Sequence, residues 1–245
     1  MKPYRLLPIT FTNNGALETI TPVLLSTGNE HILIDCGYPG FLPRLEAAVQ
    51  KHDVSFQTIT KVIVTHHDID HIGTLASIKR AYPHFEIIAT EEEAPYLDGT
   101  TTSLRLEQAQ ASYGQLPEDM KPWADQFIQS LKAIEPVPVD QTISTDERLP
   151  WCGGIEIIPT PGHMPHHISI YLPATKTLLA GDAVVIEAGE LNIANPQFTM
   201  NMEEAIHSVR RLRDLEIDEL ICYHGGLYQG DVKEALQQLL DQYSK

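Results

Sequence analysis

The chain has no long apolar run and no leader-like segment. No window among its 245 residues approaches the roughly 18 consecutive apolar residues that a membrane span needs. The opening stretch MKPYRLLPITF contains no apolar core followed by a small-residue cleavage site. We therefore expect no membrane association and a cytoplasmic location.

Positive charge is also scarce. The 17 Lys and Arg residues face 33 Asp and Glu residues, so the formal net charge is −16. Binding to nucleic acid needs a basic face, and an acidic surface repels polyanions. We therefore expect no nucleic-acid partner and a small-molecule substrate instead.

Cysteine is too rare and too widely spaced to form a framework. Cys36, Cys152 and Cys222 are odd in number and far apart, which argues against a set of disulfides and against a paired-cysteine zinc site. We expect these three thiols to be reduced and partly buried.

What the sequence does contain is a succession of short strand-like runs with helical patterns between them. The runs are YRLLPITF, TPVLLST, EHILIDCG, KVIVT, FEIIAT, IEIIPT, HISIYL, TLLAGD and ELICYHG. The clearest helical pattern is NMEEAIHSVRRLRDL, where Asn201 is a candidate N-cap and Glu204 follows three residues later. The alternation predicts a layered α/β fold with sheets at the centre and helices outside.

Residues from about 91 to 135 differ from the rest because they are polar and helical, with scattered aromatic side chains. We interpret them as a helical cap inserted between two strands of a single domain that spans residues 1–245. The alternative is an ordinary surface pair of helices that its aromatic residues anchor.

Metal-capable side chains crowd into the stretch THHDIDHIG. A strand predicted to end at Val64 and Thr65 would place His66, Asp68, Asp70 and His71 in the connection to a helix that begins near Thr74. Sites in α/β proteins form at such strand ends. Imidazole and carboxylate together suit zinc, iron or manganese.

Three further candidates follow other strand-like runs. They are His163 in PTPGHMPHH, Asp182 in AGDAVV and His224 in CYHGG. A single histidine after a strand is more often a packed residue than a ligand, and we interpret the neighbouring His166 and His167 as packing residues. Four strand ends that all close on Asp or His are hard to explain without a shared ion.

In the order THHDIDHIG, PTPGHMPHH, AGDAVV, CYHGG, these motifs resemble the metallo-β-lactamase superfamily of hydrolases over nearly the whole chain. The stretch LIDCG adds Asp35 and Gly37, which match that family's early Asp-x-Gly turn. The resemblance implies a four-layer αββα sandwich with two divalent metal ions at one edge of the sheets. It also implies that Asp35 supports the metal ligands from behind.

Carried over position by position, the resemblance implies that His66, Asp68 and His163 bind the first ion. The second would be held by Asp70, His71 and His224, with Asp182 bridging the two. Asp70 is then the candidate catalytic residue, taking up and returning a proton beside a water that the two ions activate.

Asp68 departs from the family pattern, because the usual motif has a histidine at its place. An oxygen ligand leaves zinc as the favoured metal but makes iron or manganese possible. With three aspartates and one hydroxide against two divalent ions, the formal charge of the centre is zero, which predicts weaker acidification of the water. Asp68 could be a ligand, which we favour, a supporting group beside a vacant position, or part of a weakly filled site. His67 is expected to lie at the surface or to support the site from behind, and it could substitute for Asp68 as a ligand.

The resemblance to compact lactonase-like and glyoxalase-II-like members favours a lactone or thioester substrate. An apolar acyl pocket could be walled by Tyr96, Trp123, Phe127 and Phe198, although core packing would explain these aromatics too. One rival is a diiron oxidoreductase that needs an electron-donor partner, since Asp68 resembles the ligand set of flavodiiron proteins. Another is a metal-binding or ligand-sensing domain without turnover. A homodimer is possible.

Overall fold

The computed structural model describes residues 2–13, 15–28 and 30–243. The outermost positions of the expected 1–245 domain, Met1, Ser244 and Lys245, lie outside these residues. Within them, no helix combines the length and apolar content needed to cross a membrane.

The strands of the first of two six-stranded sheets come mostly from the N-terminal half of the chain. Its strands lie in the order β1 (Tyr4–Leu6), β4 (Val23–Thr27), β5 (Glu30–Ile34), β6 (Lys61–Ile63), β7 (Glu86–Thr90) and β8 (Gln141–Ile143). The four strands from β5 to β8 are parallel to one another.

The second six-stranded sheet is built from the C-terminal half. Its order is β16 (Gly226–Leu227), β15 (Glu219–Cys222), β12 (Thr177–Leu179), β11 (Ile168–Leu172), β10 (Ile155–Pro159) and β9 (Arg148–Leu149). Strands β12 and β15 are parallel, and β10 runs in the same direction because both β10 and β12 are antiparallel to β11. Two hairpins complete the strands, namely β2 (Ile9–Asn13) with β3 (Ala16–Ile20) and β13 (Val185–Glu187) with β14 (Glu190–Asn192).

Eight α-helices lie between the described strands or, in the case of the last one, after them. They are α1 (Leu42–Gln50), α2 (Ile69–Ile72), α3 (Leu75–Ala81), α4 (Ala94–Leu97), α5 (Leu104–Ser112), α6 (Lys121–Lys132), α7 (Met202–Arg213) and α8 (Val232–Gln242). Helix α7 begins after Asn201, whose side-chain oxygen accepts a hydrogen bond from the Glu204 backbone N–H at 3.2 Å. This is the cap that the sequence predicts.

Three layers of apolar contact hold the sheets and helices together. Side chains of alternate residues in each strand point to opposite faces, so Leu24 packs toward α1 and α3 while Val23 and Leu25 pack between the two sheets. On the far side of the second sheet, Leu220 packs with Val209 of α7. The order of layers is helix, sheet, sheet, helix, and the predicted αββα fold is confirmed.

The helices α4, α5 and α6 lie in the chain between β7 and β8, where the insert at about 91–135 is expected. Helices α5 and α6 pack on each other. Helix α5 also contacts the residues that follow β6. The Leu104 backbone N–H donates a hydrogen bond to His67 Nε2 at 3.3 Å, and Arg105 forms an ion pair with Asp68.

Candidate metal centre

The seven predicted ligands come together at one edge of the two sheets. Strand β6 leads into His66 and the ligands that follow it, while β10, β12 and β15 lead into His163, Asp182 and His224. These β-strands run in the same direction within each sheet, so their carboxyl ends meet at a shared edge. Candidate ligand atoms within three groups of these residues lie within 4.8 Å of one another.

One group, which we call the first metal position, consists of His66, Asp68 and His163. Asp68 Oδ2 lies 3.0 Å from His163 Nε2 and 3.5 Å from His66 Nε2. Ligand atoms that each lie about 2 Å from a shared zinc ion are separated by roughly this much. The carboxylate oxygen and the two ring nitrogens therefore have the spacing of a three-ligand site.

A second group, the second metal position, consists of Asp70, His71 and His224. Asp70 Oδ2 lies 3.1 Å from His224 Nε2 and 3.7 Å from His71 Nε2. Asp182 lies between the two positions, because its Oδ2 atom is 3.6 Å from His163 Nε2 and 3.5 Å from the Nε2 atoms of both His71 and His224. It has the placement of a bridging ligand.

Asp35 orients two of the imidazoles. Its Oδ2 atom lies 2.8 Å from His71 Nδ1 and accepts a hydrogen bond from Thr65 Oγ1 at 2.8 Å. The Thr65 hydroxyl lies 3.0 Å from His66 Nδ1. A proton held on Nδ1 of each ring leaves the Nε2 lone pair facing the centre, which is the tautomer that a metal ligand needs.

The buried polar atoms at the centre fit a divalent metal ion. Among the described residues, His66 Nε2, His71 Nε2 and Asp182 Oδ1 are buried without a hydrogen-bond partner. Such atoms are costly to leave unpaired. The donor set of imidazole nitrogens and carboxylate oxygens is one that zinc, iron and manganese accept.

Carboxylates shift the titration of the histidines around them. Burial alone would lower the pKa of His224, but Asp182 and then Asp70 raise it to about 10. Burial would also lower the pKa of His71, but Asp35 and then Asp70 raise that pKa well above its usual range. Burial and the neighbouring His71 instead lower the pKa of His66 well below its ordinary value. In the absence of an ion, the second metal position therefore holds protons that a metal must displace.

Arg105 is a member of the site that the sequence analysis missed. Its side chain comes from α5, is buried, and pairs in a two-pronged manner with Asp68, with Nε 2.8 Å from Oδ1 and Nη2 2.6 Å from Oδ2. Burial would raise the pKa of Asp68, but this guanidinium holds it well below its usual range. The guanidinium adds one positive charge beside the centre. The formal charge of zero, which was counted from the three aspartates, the hydroxide and the two ions, does not include it.

His167 has a structural task that packing alone does not describe. Its Nδ1 atom lies 2.8 Å from Thr160 Oγ1, and its Nε2 atom accepts a hydrogen bond from the Asp182 backbone N–H at 2.9 Å. Burial and the nearby His163 lower the pKa of His167 to about 3, so the ring is neutral and Nε2 stays an acceptor. His167 thereby fixes the turn that presents Asp182.

His67 faces the insert. Its Nδ1 atom lies 2.6 Å from Oε2 of the buried Glu93, and its ring stacks on Tyr96 with 4.2 Å between centroids. The hydrogen bonds of His67 thus anchor α4 and the start of α5, whereas Asp35 reaches the ligands directly. Of the four aromatic residues expected around a pocket, Tyr96 has ring contacts with His67 and His166, and the other three are Trp123, Phe127 and Phe198.

Those three aromatic residues lie together. Trp123 stacks on Phe127 at 5.3 Å between centroids, and Phe127 meets Phe198 edge-on at 6.2 Å. Phe198 also contacts Arg105, the residue that pairs with Asp68, because its carbonyl accepts a hydrogen bond from Arg105 Nη1 at 2.8 Å. The cluster extends from the exposed Trp123 to the residue that pairs with Asp68.

The metallo-beta-lactamase superfamily matches residues 18–224 of this sequence. This match covers most of the chain and includes all seven clustered residues, so the chain belongs to the metallo-β-lactamase superfamily. It is a metallo-hydrolase-type protein with a His and Asp cluster able to hold metal.

Two curated proteins of Bacillus subtilis (strain 168) resemble the chain. The uncharacterized protein YobT is 28% identical over 239 residues, covering 94% of this chain and 93% of YobT. The probable metallo-hydrolase YflN is 27% identical over 219 residues, covering 82% of this chain and 78% of YflN. Among solved structures, a metallo-beta-lactamase family protein from Thermus thermophilus shares the fold, with a TM-score of 0.75 at 21% identity over 98% of this chain and 79% of that one.

Proposed function

We propose that this protein is a metal-dependent hydrolase that uses two divalent metal ions to cleave a small ester-type substrate, with a lactone or thioester favoured. The observation that carries the proposal is the convergence of His66, His71 and Asp182 in one cluster. Among the described residues, His66 Nε2, His71 Nε2 and Asp182 Oδ1 are buried there without a hydrogen-bond partner. Hydrolysis is the chemistry that such a centre best supports.

Each group of residues has a defined task in this proposal. His66, Asp68 and His163 would hold one ion, Asp70, His71 and His224 the other, and Asp182 would lie between them. When bound, a pair of divalent ions lowers the pKa of a water molecule and polarises a carbonyl oxygen. Zinc is the favoured metal, and iron or manganese remain alternatives because of the Asp68 oxygen.

Asp70 is the residue that moves a proton in this proposal. Its Oδ2 atom faces His224 at 3.1 Å. Its backbone carbonyl accepts a hydrogen bond from the Tyr223 hydroxyl at 2.6 Å, which fixes the main chain behind it. A carboxylate held at the edge of the centre can accept the proton of the attacking water and return it to the leaving oxygen or sulfur.

The substrate class rests on the aromatic cluster. Trp123, Phe127 and Phe198 form a continuous apolar surface that starts beside Arg105. Such a surface suits the acyl part of an ester, and the net charge of −16 disfavours a polyanionic substrate.

The cytoplasmic location and the homodimer expected from the sequence stay predictions.

The experiment that tests the proposal follows proton release with a pH indicator. Metal-replete protein is given simple and acyl-homoserine lactones, glutathione thioesters, aryl esters and phosphodiesters. Turnover of a lactone or thioester is expected, and turnover of phosphodiesters alone would contradict the substrate class. Silence across the set, with two ions bound, would contradict hydrolysis. It would favour either the diiron oxidoreductase that the Asp68 carboxylate suggests or the ligand-sensing alternative.

A further inference from the structure

Arg105 is a buried cation at a site that should attract cations. Its side chain is 3% exposed, and its guanidinium lies against Asp68 and 3.4 Å from His163 Nε2. Both of those residues belong to the first metal position. A positive charge in this place must change how a metal ion is held there.

The guanidinium is fully occupied by the protein. Nε and Nη2 donate to the two oxygens of Asp68, while Nη1 donates to Gln108 Oε1 at 2.6 Å and to the Phe198 carbonyl at 2.8 Å. The ring of Phe198 covers it at 5.4 Å. With its donors turned to these partners, Arg105 is badly placed to bind a substrate, and its influence must pass through Asp68.

Asp68 Oδ2 serves two partners. It accepts from Arg105 Nη2 at 2.6 Å and also lies 3.0 Å from His163 Nε2, at the spacing of a shared metal ligand. A carboxylate that keeps a guanidinium beside it presents an oxygen ligand with no net charge. The other two ligands of this position, His66 and His163, are neutral imidazoles when they bind a metal.

We propose that Asp68 and Arg105 act as one neutral unit at the first metal position, so that a residue of the insert sets how strongly this position attracts a divalent ion. The inference rests on the proposed metal centre. It makes Arg105 a positioning residue that tunes the affinity for metal through charge, and it makes the insert a part of the site.

The test measures the stepwise dissociation constants of metal-free protein for Zn²⁺ in competition with a chromophoric chelator. The step that is lost in His163→Ala is assigned to the first metal position. Arg105→Met leaves the Asp68 charge unbalanced, and Asp68→His leaves the Arg105 charge unbalanced. The double variant Asp68→His/Arg105→Met removes both charges.

The proposal predicts an order of affinities that follows net charge. Arg105→Met binds Zn²⁺ at the first position at least about tenfold more tightly than the unmodified protein, and Asp68→His at least about tenfold more weakly. A unit charge a few ångströms from a divalent ion has effects of this size even at an effective dielectric constant of about 20. The double variant and Arg105→Lys stay within about threefold of the unmodified protein.

Different failures contradict different statements. Weaker or unchanged binding in Arg105→Met would show that Arg105 only holds Asp68 in place, and unchanged binding in Asp68→His would overturn the charge argument independently. If Arg105→Met does not fold, the comparison of Asp68→His with the unmodified protein and with Arg105→Lys decides the matter. An unmodified protein that binds no divalent ion would overturn the proposed function itself.

A matched control removes a cation from an ion pair far from the centre. Lys79 Nζ lies 2.8 Å from Asp140 Oδ2 on the first sheet. Lys79→Met is expected to change thermal stability slightly and to leave both dissociation constants for Zn²⁺ unchanged. A shift in those constants would show that loss of any paired cation affects metal binding.

Discussion

At the scale of single residues, Asp35 orients the metal centre without being one of the seven clustered residues, because it contacts His71 of the second metal position. It accepts from the backbone N–H of Thr65 at 2.9 Å, and the Thr65 hydroxyl and His71 Nδ1 both lie 2.8 Å from its other oxygen. Its backbone has a φ of 57°, a left-handed conformation that Asn also tolerates. Asp35→Asn is therefore a nearly isosteric change.

We expect Asp35→Asn to weaken metal binding by about 10–100-fold, because the amide no longer fixes the tautomer of His71. The chelator competition described above measures it. Asp140→Asn is a suitable control, since Asp140 accepts from the Ile87 backbone N–H and from Lys79 away from the centre. Equal metal affinity in Asp35→Asn and the unmodified protein would show that Asp35 has no part in orienting the ligands.

The raised pKa values of His224 and His71 predict a second effect at this scale. Because the pKa of His224 is about 10 without a metal ion, its ring carries a proton at pH 7 that a metal must displace. Raising the pH toward 10 removes that competition, so metal affinity should rise by at least about tenfold between pH 7 and pH 9. Calorimetric titrations in two buffers of different ionisation enthalpy count the released protons. Affinity independent of pH over this range, with no proton release, would contradict the assignment of His224 as a ligand.

Residue chemistry also shows what the sequence could and could not predict about the site. The seven clustered residues were identifiable because each follows a strand-like run and matches a family motif. Arg105 was not, since it is one of two charged residues in a polar helix, matches no motif, and lies 37 positions from Asp68. The available signal was electrostatic, because an extra carboxylate at a buried centre requires a nearby cation.

At the scale of elements, the strand-like runs were reliable where both faces of a strand are buried. Each of the nine runs contains a strand, and Ile168–Leu172 is buried at every position. Short edge strands such as Arg148–Leu149 carry too few apolar residues to be identified from the sequence. Helix α7 was predictable from its cap and apolar stripe. The expected helix near Thr74 is present as α3, preceded by the separate short helix α2.

The turn between β10 and β11, which packs against α7, gives a prediction at this scale. Gly162 has a φ of +134°, and a Cβ there would lie 2.3 Å from the Ala205 backbone nitrogen. Gly162→Ala should therefore lower the free energy of unfolding by about 2–4 kcal/mol, from strain and overpacking together. It should also weaken metal binding, since His163 is the next residue.

Gly189→Ala is the matched control for this change. Gly189 also has a positive φ, of +87°, but no atom lies within 4 Å of the position of a Cβ. Its cost should be only about 1–2 kcal/mol of backbone strain. Chemical denaturation measures both variants, and equal losses of stability would show that the close approach to α7 is unimportant.

At the scale of the whole molecule, two six-stranded sheets present their carboxyl ends at one edge, and the insert reaches that edge from the side. The layered α/β fold followed from the spacing of strands and helices, and the αββα arrangement followed from the family resemblance. The contacts of the insert did not follow from either, because packing between distant elements leaves no local pattern in the sequence. The centre thus combines ligands from the sheet ends with a charge supplied by α5.

The most direct test of the account measures the rate of ester, lactone or thioester hydrolysis as Zn²⁺ is added to metal-free protein. The account predicts no turnover without metal, a rate that reaches its plateau at two ions per chain, and no comparable turnover in His71→Ala. Full turnover by the metal-free protein, or by His71→Ala, would contradict a metal-dependent hydrolase built on these residues.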